Sequence, residues 1–280
     1  MSLNSVNTNV GAQIALQSLN ITSSQLAATE KQISTGYRVA DATDDGAAYA
    51  VAQKVRASVG ALTSANQQLG NVNGLLTTTL TGLNAASNDI NSLNAVVVKL
   101  ADGNTQGSQR TQYQTQYNTL VAQVKNDLNG ANYNGKTLIG NVGGAPAGVT
   151  FGRTAVVQDQ LGTTYGIATF SGNALYTSLN VTTFTSTVAQ AFLSGTFANA
   201  LDTIGNQLNN FGQASNYVSA QTSYNSDKID ALNTGLGSLI DADLAKESAQ
   251  LQALQIRQQL GTQALSLANQ APQTLLSLFK

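Results

Sequence analysis

Three aspartates, Asp41, Asp44 and Asp45, crowd into the stretch ISTGYRVADATDDGAAYAVAQ, residues 33–53, just after Arg38. Carboxylates this close suggest a cation site. Hard-cation loops, however, need more carboxylates and carbonyls at regular spacing. The cluster is therefore not read as a metal site. Elsewhere the chemistry is thinner still. Histidine and cysteine are absent, so no Ser-His-Asp or Cys-His triad, HExxH zinc motif, thiolate site or disulfide is available. GNVGG from Gly140 and GLGS from Gly235 lack the P-loop lysine pattern and read as hinges. Two sequons, at Asn20 and Asn180, presume a secretory context that the chain does not display. No residue is singled out as catalytic, cofactor-binding or metal-binding, and an enzyme is the least supported class.

What surrounds these residues is unusual in charge. Of 280 residues only 10% are charged and 6% aromatic, with a net charge of −1; about 25% charged is ordinary. Asp89 is the single charge between Arg56 and Lys99, and none occurs from Gln160 to Leu201. Exposed helix faces must be amide and hydroxyl. A nucleic-acid surface needs a basic stripe and a polybasic membrane patch needs clustered Lys and Arg; neither is present. No apolar run approaches the ~20 residues of a membrane span. The start, MSLNSVNTNV, lacks the basic and apolar regions of a signal peptide, so the expectation is a cytoplasmic chain or one exported by another route.

The elements that must position everything are long helices. Ala12, Leu19, Leu26 and Ile33 recur at sevens, with Val10, Ile14 and Ile21 beside them. A second helix from about Asp44 to Leu100 carries Val51, Val55, Val59, Leu62, Ala65, Leu69, Val72, Leu76, Leu80, Leu83, Ala86, Ile90, Leu93, Val97 and Leu100 in steps of three and four, a coiled-coil spacing. At ~1.5 Å per residue it would span roughly 85 Å, the length of a rod. Gly60, Gly70, Gly74 and Gly82 interrupt it, each at ~1 kcal/mol against alanine. A third helix bears Tyr113, Tyr117, Leu120, Val124 and Leu128, and Asn129-Gly130 and Asn134-Gly135 follow as turn dipeptides. Residues 136–186 change texture, and TAVV, TYGIATF and NVTTFT favour short strands and hairpins. A fourth helix runs from Phe197 to Leu239 with polar seam positions at Ser215, Thr222 and Asn225, which set register. After a break at NTGLGSLIDADLA, Asp241 or Asp243 can cap a last helix, which Pro272 should kink or restart.

These residues carry a resemblance. The stretch 33–53, the ANYNGKTLIG segment and DADLAKESAQLQALQIRQQLGTQALSLANQAPQTLLSLFK resemble the signatures of bacterial flagellin, over roughly residues 1–140 and 190–280. The short middle and the absence of Cys and Trp look alphaproteobacterial. The resemblance implies a mainly α chain with a small β region: a long antiparallel coiled-coil rod with β-hairpins, its terminal helices forming an inner coiled coil. It implies an inner-tube helix at 1–34, a spoke linker at 35–46, rod helices at 47–135, a β-hairpin and variable middle at 136–186, a rod helix at 187–235 and an inner-tube helix at 236–280. In the linker, Gly36 can relax the backbone, Asp44 or Asp45 can cap the long helix, and Arg38 and Asp41 are placed to pair with neighbouring groups, including those of another copy.

The function so implied is a structural subunit that polymerises into the flagellar filament for swimming, with no enzymatic role. It would be exported by the flagellar type III apparatus and end up extracellular. Inter-subunit packing is expected from Leu19, Leu26, Ile33, Leu251, Leu254 and Leu260. Partners would be further copies, the export apparatus and an export chaperone, the filament cap and hook-junction proteins, and O-linked glycans; no cofactor, nucleic acid or membrane insertion is expected. The C-terminal LLSLFK should be apolar packing. Alternatives are a hook–filament junction protein and, in another class, a helical adhesin or scaffold. One departure from the family concerns its arginine-rich stretch read by the vertebrate flagellin receptor: the matching residues 93–101 read LNAVVVKLA, with Ala95 and Val97 where arginines belong, so weak recognition is expected.

Overall fold

A computed structural model describes residues 8–140, 142–144 and 148–277, with side chains as far as residue 270. The reading of LLSLFK as apolar packing lies outside the described side chains. The elements in order are α1 (Val10–Thr35), α2 (Gly46–Ala101), α3 (Gly107–Gly130), β1 (Lys136–Thr137), β2 (Thr150–Phe151), β3 (Thr154–Val157), β4 (Thr164–Ile167), α4 (Gly172–Leu179), α5 (Ser186–Ala191), a π-helical turn Phe192–Phe197, α6 (Ala198–Ile240) and α7 (Leu244–Ser277). The chain is mainly α with a small β region, as expected. It divides into two compact units: Ser58–Asp230, and the two ends, Met1–Ala57 with Ala231–Lys280.

In the Ser58–Asp230 unit the threes-and-fours spacing of α2 becomes one buried stripe. Leu62, Leu69, Leu76, Leu83, Ile90, Leu93, Val97 and Leu100 are fully enclosed. Against it lie Tyr117, Val124 and Leu128 of α3 and Ile204, Phe211 and Val218 of α6. Each such side chain contributes about 1.5–3 kcal/mol by leaving water, and this stripe holds the unit together despite the interrupting glycines. Tyr117, Phe184 and Phe192 meet edge to face, with centroids 4.7–6.1 Å apart, the arrangement that ring quadrupoles favour.

The α2–α6 pair is antiparallel: Asn66 meets Asn225, whereas Asn73 meets Ser215 at 3.2 Å. Asn225 is completely buried. Its amide donates to Asn66 Oδ1 and to the Gln158 carbonyl, both at 2.9 Å, and its oxygen accepts from Gln221 Nε2. A buried amide with all these partners satisfied favours one register over its neighbours. Arg110 gathers four carbonyls, those of Leu100, Asp102, Thr105 and Phe184, and so fixes the α2–α3 connection.

The middle departs from the expected run of hairpins. β3 and β4 do form an antiparallel hairpin, but β1 pairs with β2 in parallel. Asn134 and Gly135 both have positive φ and sit between the paired Tyr133 and Lys136, a tight reversal of the kind Asn-Gly favours. Asn129-Gly130, by contrast, is the end of α3, not a turn, because Asn129 exchanges two hydrogen bonds with the backbone of Val142. NVTTFT forms no strand. Its backbone is engaged elsewhere: Gln114 bonds Val181 O and Phe184 N, and Arg110 bonds Phe184 O. TYGIATF is a strand only to Ile167, and Leu175 and Leu179, four apart, are the buried face of the short α4.

In the unit of the two ends, three further expectations need correcting. Val51 is exposed; Ala48 and Ala52 are buried instead, with Val39 and Ile240. GLGS is no hinge, since α6 continues through it to Ile240, where that burial outweighs the low helix propensity of two glycines. The break falls at 241–243, and α7 runs on past Pro272 without restarting.

Candidate assembly site on the terminal helices

Asn9 caps α1, its Oδ1 accepting from Ala12 N at 3.0 Å. α1 ends at Gly36, whose φ of 73° is the left-handed region that a C-cap uses, and its N–H donates to Gln32 O. The chain then crosses to α2. Arg38 and Val39 donate their N–H groups to Ile240 O, Ala242 N donates to Gly36 O, and the Arg38 guanidinium donates to Leu239 O. The linker is thus stitched by backbone bonds to the break between α6 and α7. Arg56 lies over the Tyr37 ring at 5.8 Å. Asp243 caps α7, accepting from Ala245 and Lys246.

The aspartates divide their work. Asp45 accepts from Ala47 N and Ala48 N and caps α2. Asp44 accepts from Ala40 N and Asp41 N. Lys31 reaches back from α1 and bonds Asp41 at 2.7 Å and Asp44 at 2.8 Å. The ammonium holds both carboxyls below the usual range, and they raise Lys31 in return. The groups are solvated, so the pairs contribute little each; their effect is to fix the turn. Lys31 supplies the positive charge that faces both carboxyls, and no group of three metal-ligating side chains occurs among the described residues. Arg38 and Asp41 therefore have partners inside this chain.

α1 and α7 pack antiparallel, with Asn9 at Ala268 and Leu19 at Gly261. Gly261 admits Leu19: an added Cβ would stand 3.3 Å from its Cδ1. Leu254, Thr22 and Thr29 are buried in this seam; Leu19, Leu26, Ile33 and Leu251 are half-buried. Leu260 differs, being 59% exposed. It belongs with a second set that the pair leaves open: Val10, Ile14, Leu16 and Ile21 on α1, and Ile256 and Leu267 on α7. Ile14, Ile21 and Arg257 line a shallow groove of about 260 Å³ on this surface. The spacing by sevens finds the seam; the apolar residues that fall off it mark the open face.

The chain matches the bacterial flagellin N-terminal helical region over residues 6–143 and the C-terminal helical region over 195–279. It is 33% identical to flagellin FljK of Caulobacter vibrioides over 282 residues, covering all of both chains. It is 30% identical to a flagellin of Brucella melitensis, covering 99% of each. Among solved structures, a flagellar hook-associated protein of Vibrio parahaemolyticus shares the fold at a TM-score of 0.57 and 13% identity, over 71% of this chain and 100% of that one. The chain belongs to the bacterial flagellin family, of the alphaproteobacterial type, and is a self-assembling structural subunit of the extracellular flagellar filament, not an enzyme.

Proposed function

We propose that copies assemble by burying the face that the α1–α7 pair leaves open, Leu260 with Ile14, Ile21, Ile256 and Leu267, so that terminal helices from many copies form the inner tube of the filament. Leu19, Leu26, Ile33, Leu251 and Leu254 serve this packing by holding the pair together. The observation that carries the reading is that open face. A solitary chain would keep these large apolar side chains in water, and exposed apolar patches mark interaction sites. Only Arg257 is charged on α7 beyond Glu247, so little opposes burial. Gly36, Arg38, Asp41, Asp44 and Asp45 act as the spoke linker from α1 to α2, which Gly36 and Arg38 also tie to the break between α6 and α7. The chain is delivered by the flagellar type III apparatus with an export chaperone, and it meets the filament cap, hook-junction proteins and O-linked glycans at its destination. The likeness to a hook-associated protein concerns the fold, whereas the full-length likeness is to flagellins, which favours filament over junction.

Electron microscopy of the purified chain after seeding, beside a chain lacking 1–34 and 240–280, tests this. Tubes of uniform diameter are expected from the first and none from the second. Tubes from the truncated chain would refute an assembly role for the terminal helices.

A further inference from the structure

Pro272 lies inside α7, which runs Leu244–Ser277. A proline has no N–H, so the carbonyl four residues earlier loses its helical partner. That carbonyl belongs to Ala268. In this chain it is not left bare: the Nδ2 of Asn9 donates to it at 2.7 Å from the other terminal helix. The same carboxamide uses its Oδ1 to cap α1 at Ala12 N. One side chain thus satisfies a donor at the start of α1 and an acceptor that α7 could not satisfy by itself.

We propose that Asn9 is the register-setting residue of the α1–α7 pair, a latch that fits only where Pro272 has freed a carbonyl. The rest of the seam is poor at setting register. Its leucines recur at sevens on α1, the buried polar residues Thr22 and Thr29 also stand seven apart, and no ion pair joins α1 to α7 among the described residues. A slip of one turn would keep much of that apolar packing. It would also move Asn9 opposite carbonyls whose own helical N–H groups are present, and leave Ala268 O without a partner. Buried backbone acceptors are nearly always paired, so the slipped pair is disfavoured here by hydrogen bonding, where the fit of Leu19 over Gly261 offers only packing. In the assembled filament, the latch makes every copy present the same open face.

The test separates the cap from the latch. Asn9→Ser keeps a good capping oxygen but cannot reach Ala268 O. Pro272→Ala restores the missing N–H and removes the need for a donor. Cysteines at Leu19 and Gly261, in a chain with none of its own, report register by disulfide formation whether or not filaments form. Asn9→Ser is expected to lower the cross-linking rate of the Pro272 chain about fivefold, on the scale of one lost backbone partner, and to change the Pro272→Ala chain less than twofold. The seeded critical concentration should move in parallel; this second readout rests on the assembly reading, and the cross-link does not. Equal effects of Asn9→Ser in both backgrounds, no effect in either, or no cross-link in the Asn9 chain would overturn the proposal.

Discussion

Two glycines of α2 should answer oppositely to the same methyl group. At Gly70 an added Cβ meets nothing within 4 Å; at Gly82 it would stand 2.6 Å from Ala131 Cβ and 2.8 Å from the Asp127 carbonyl oxygen. Gly70→Ala therefore gains the helix propensity alone, about 1 kcal/mol. Gly82→Ala gains the same but must push α3 away. One of the two atoms in its path is backbone, which no rotamer change can move. Overpacking of this kind costs about 1–3 kcal/mol, which leaves Gly82→Ala neutral to about 2 kcal/mol worse than the parent chain and separates the variants by about 1–3 kcal/mol. At about 2–4 °C per kcal/mol for a unit of this size, their midpoints should differ by about 2–12 °C. Thermal unfolding of unassembled full-length chains, followed by far-UV circular dichroism, reads this directly. A Gly82→Ala chain as stable as Gly70→Ala would refute the close α2–α3 approach.

Other outcomes concern charge. Asp89 on α2 faces Asp127 on α3 with Oδ2 buried and unpartnered, and burial first, then Asp127, raises its pKa. A raised carboxyl pKa means that stability falls as pH climbs through the carboxylate range and stays lower above it. Asp89→Asn should thus raise the unfolding midpoint at pH 7, with the gain shrinking toward pH 4; an equal gain at both would contradict this. In the linker the signs reverse. Asp41 and Asp44 are lowered by Lys31, so their contribution is full above the usual carboxylate pKa of about 4 and is lost on acidification below it. Lys31, raised, loses its share only as pH rises through its own folded value. Hydrogen exchange of residues 36–45 should stay level, after correction for intrinsic rates, from pH 5 to 8 and quicken below pH 4. Quickening already between pH 7 and 5 would refute the pairing.

The long helices were legible because their apolar steps admit one period, and Asn134-Gly135 because a two-residue reversal needs positive φ at both positions. NVTTFT was not. Its residues suit a strand, but Gln114 and Arg110 occupy the backbone groups a ladder would need, and partners some seventy residues away leave no local pattern. GLGS misled for the same reason: Ile240 is held by Val39, Ala48 and Ala52, none of them near it in the chain. On the terminal helices, spacing by sevens picked out the seam that one chain closes by itself. Only exposure in the folded pair separates Leu260 from Leu254. No local pattern marks Lys31 as the linker's anchor, although it is one of only two charges in the first 35 residues. Its partners stand ten and thirteen residues on, reached through a turn and not along a helix face.

If the open face of the α1–α7 pair drives assembly, as proposed, elongation should depend on that face while folding of the single chain does not. Changing Ile14, Ile21, Ile256 and Leu260 together to glutamine alters that face and spares the seam. Each would otherwise bury about half a large side chain, on the order of 1 kcal/mol per residue per contact, so elongation from wild-type seeds should fall by orders of magnitude. The unfolding midpoint of the unassembled chain should stay the same. Seeded elongation of this fourfold variant at the wild-type rate would rule out an assembly role for the open face.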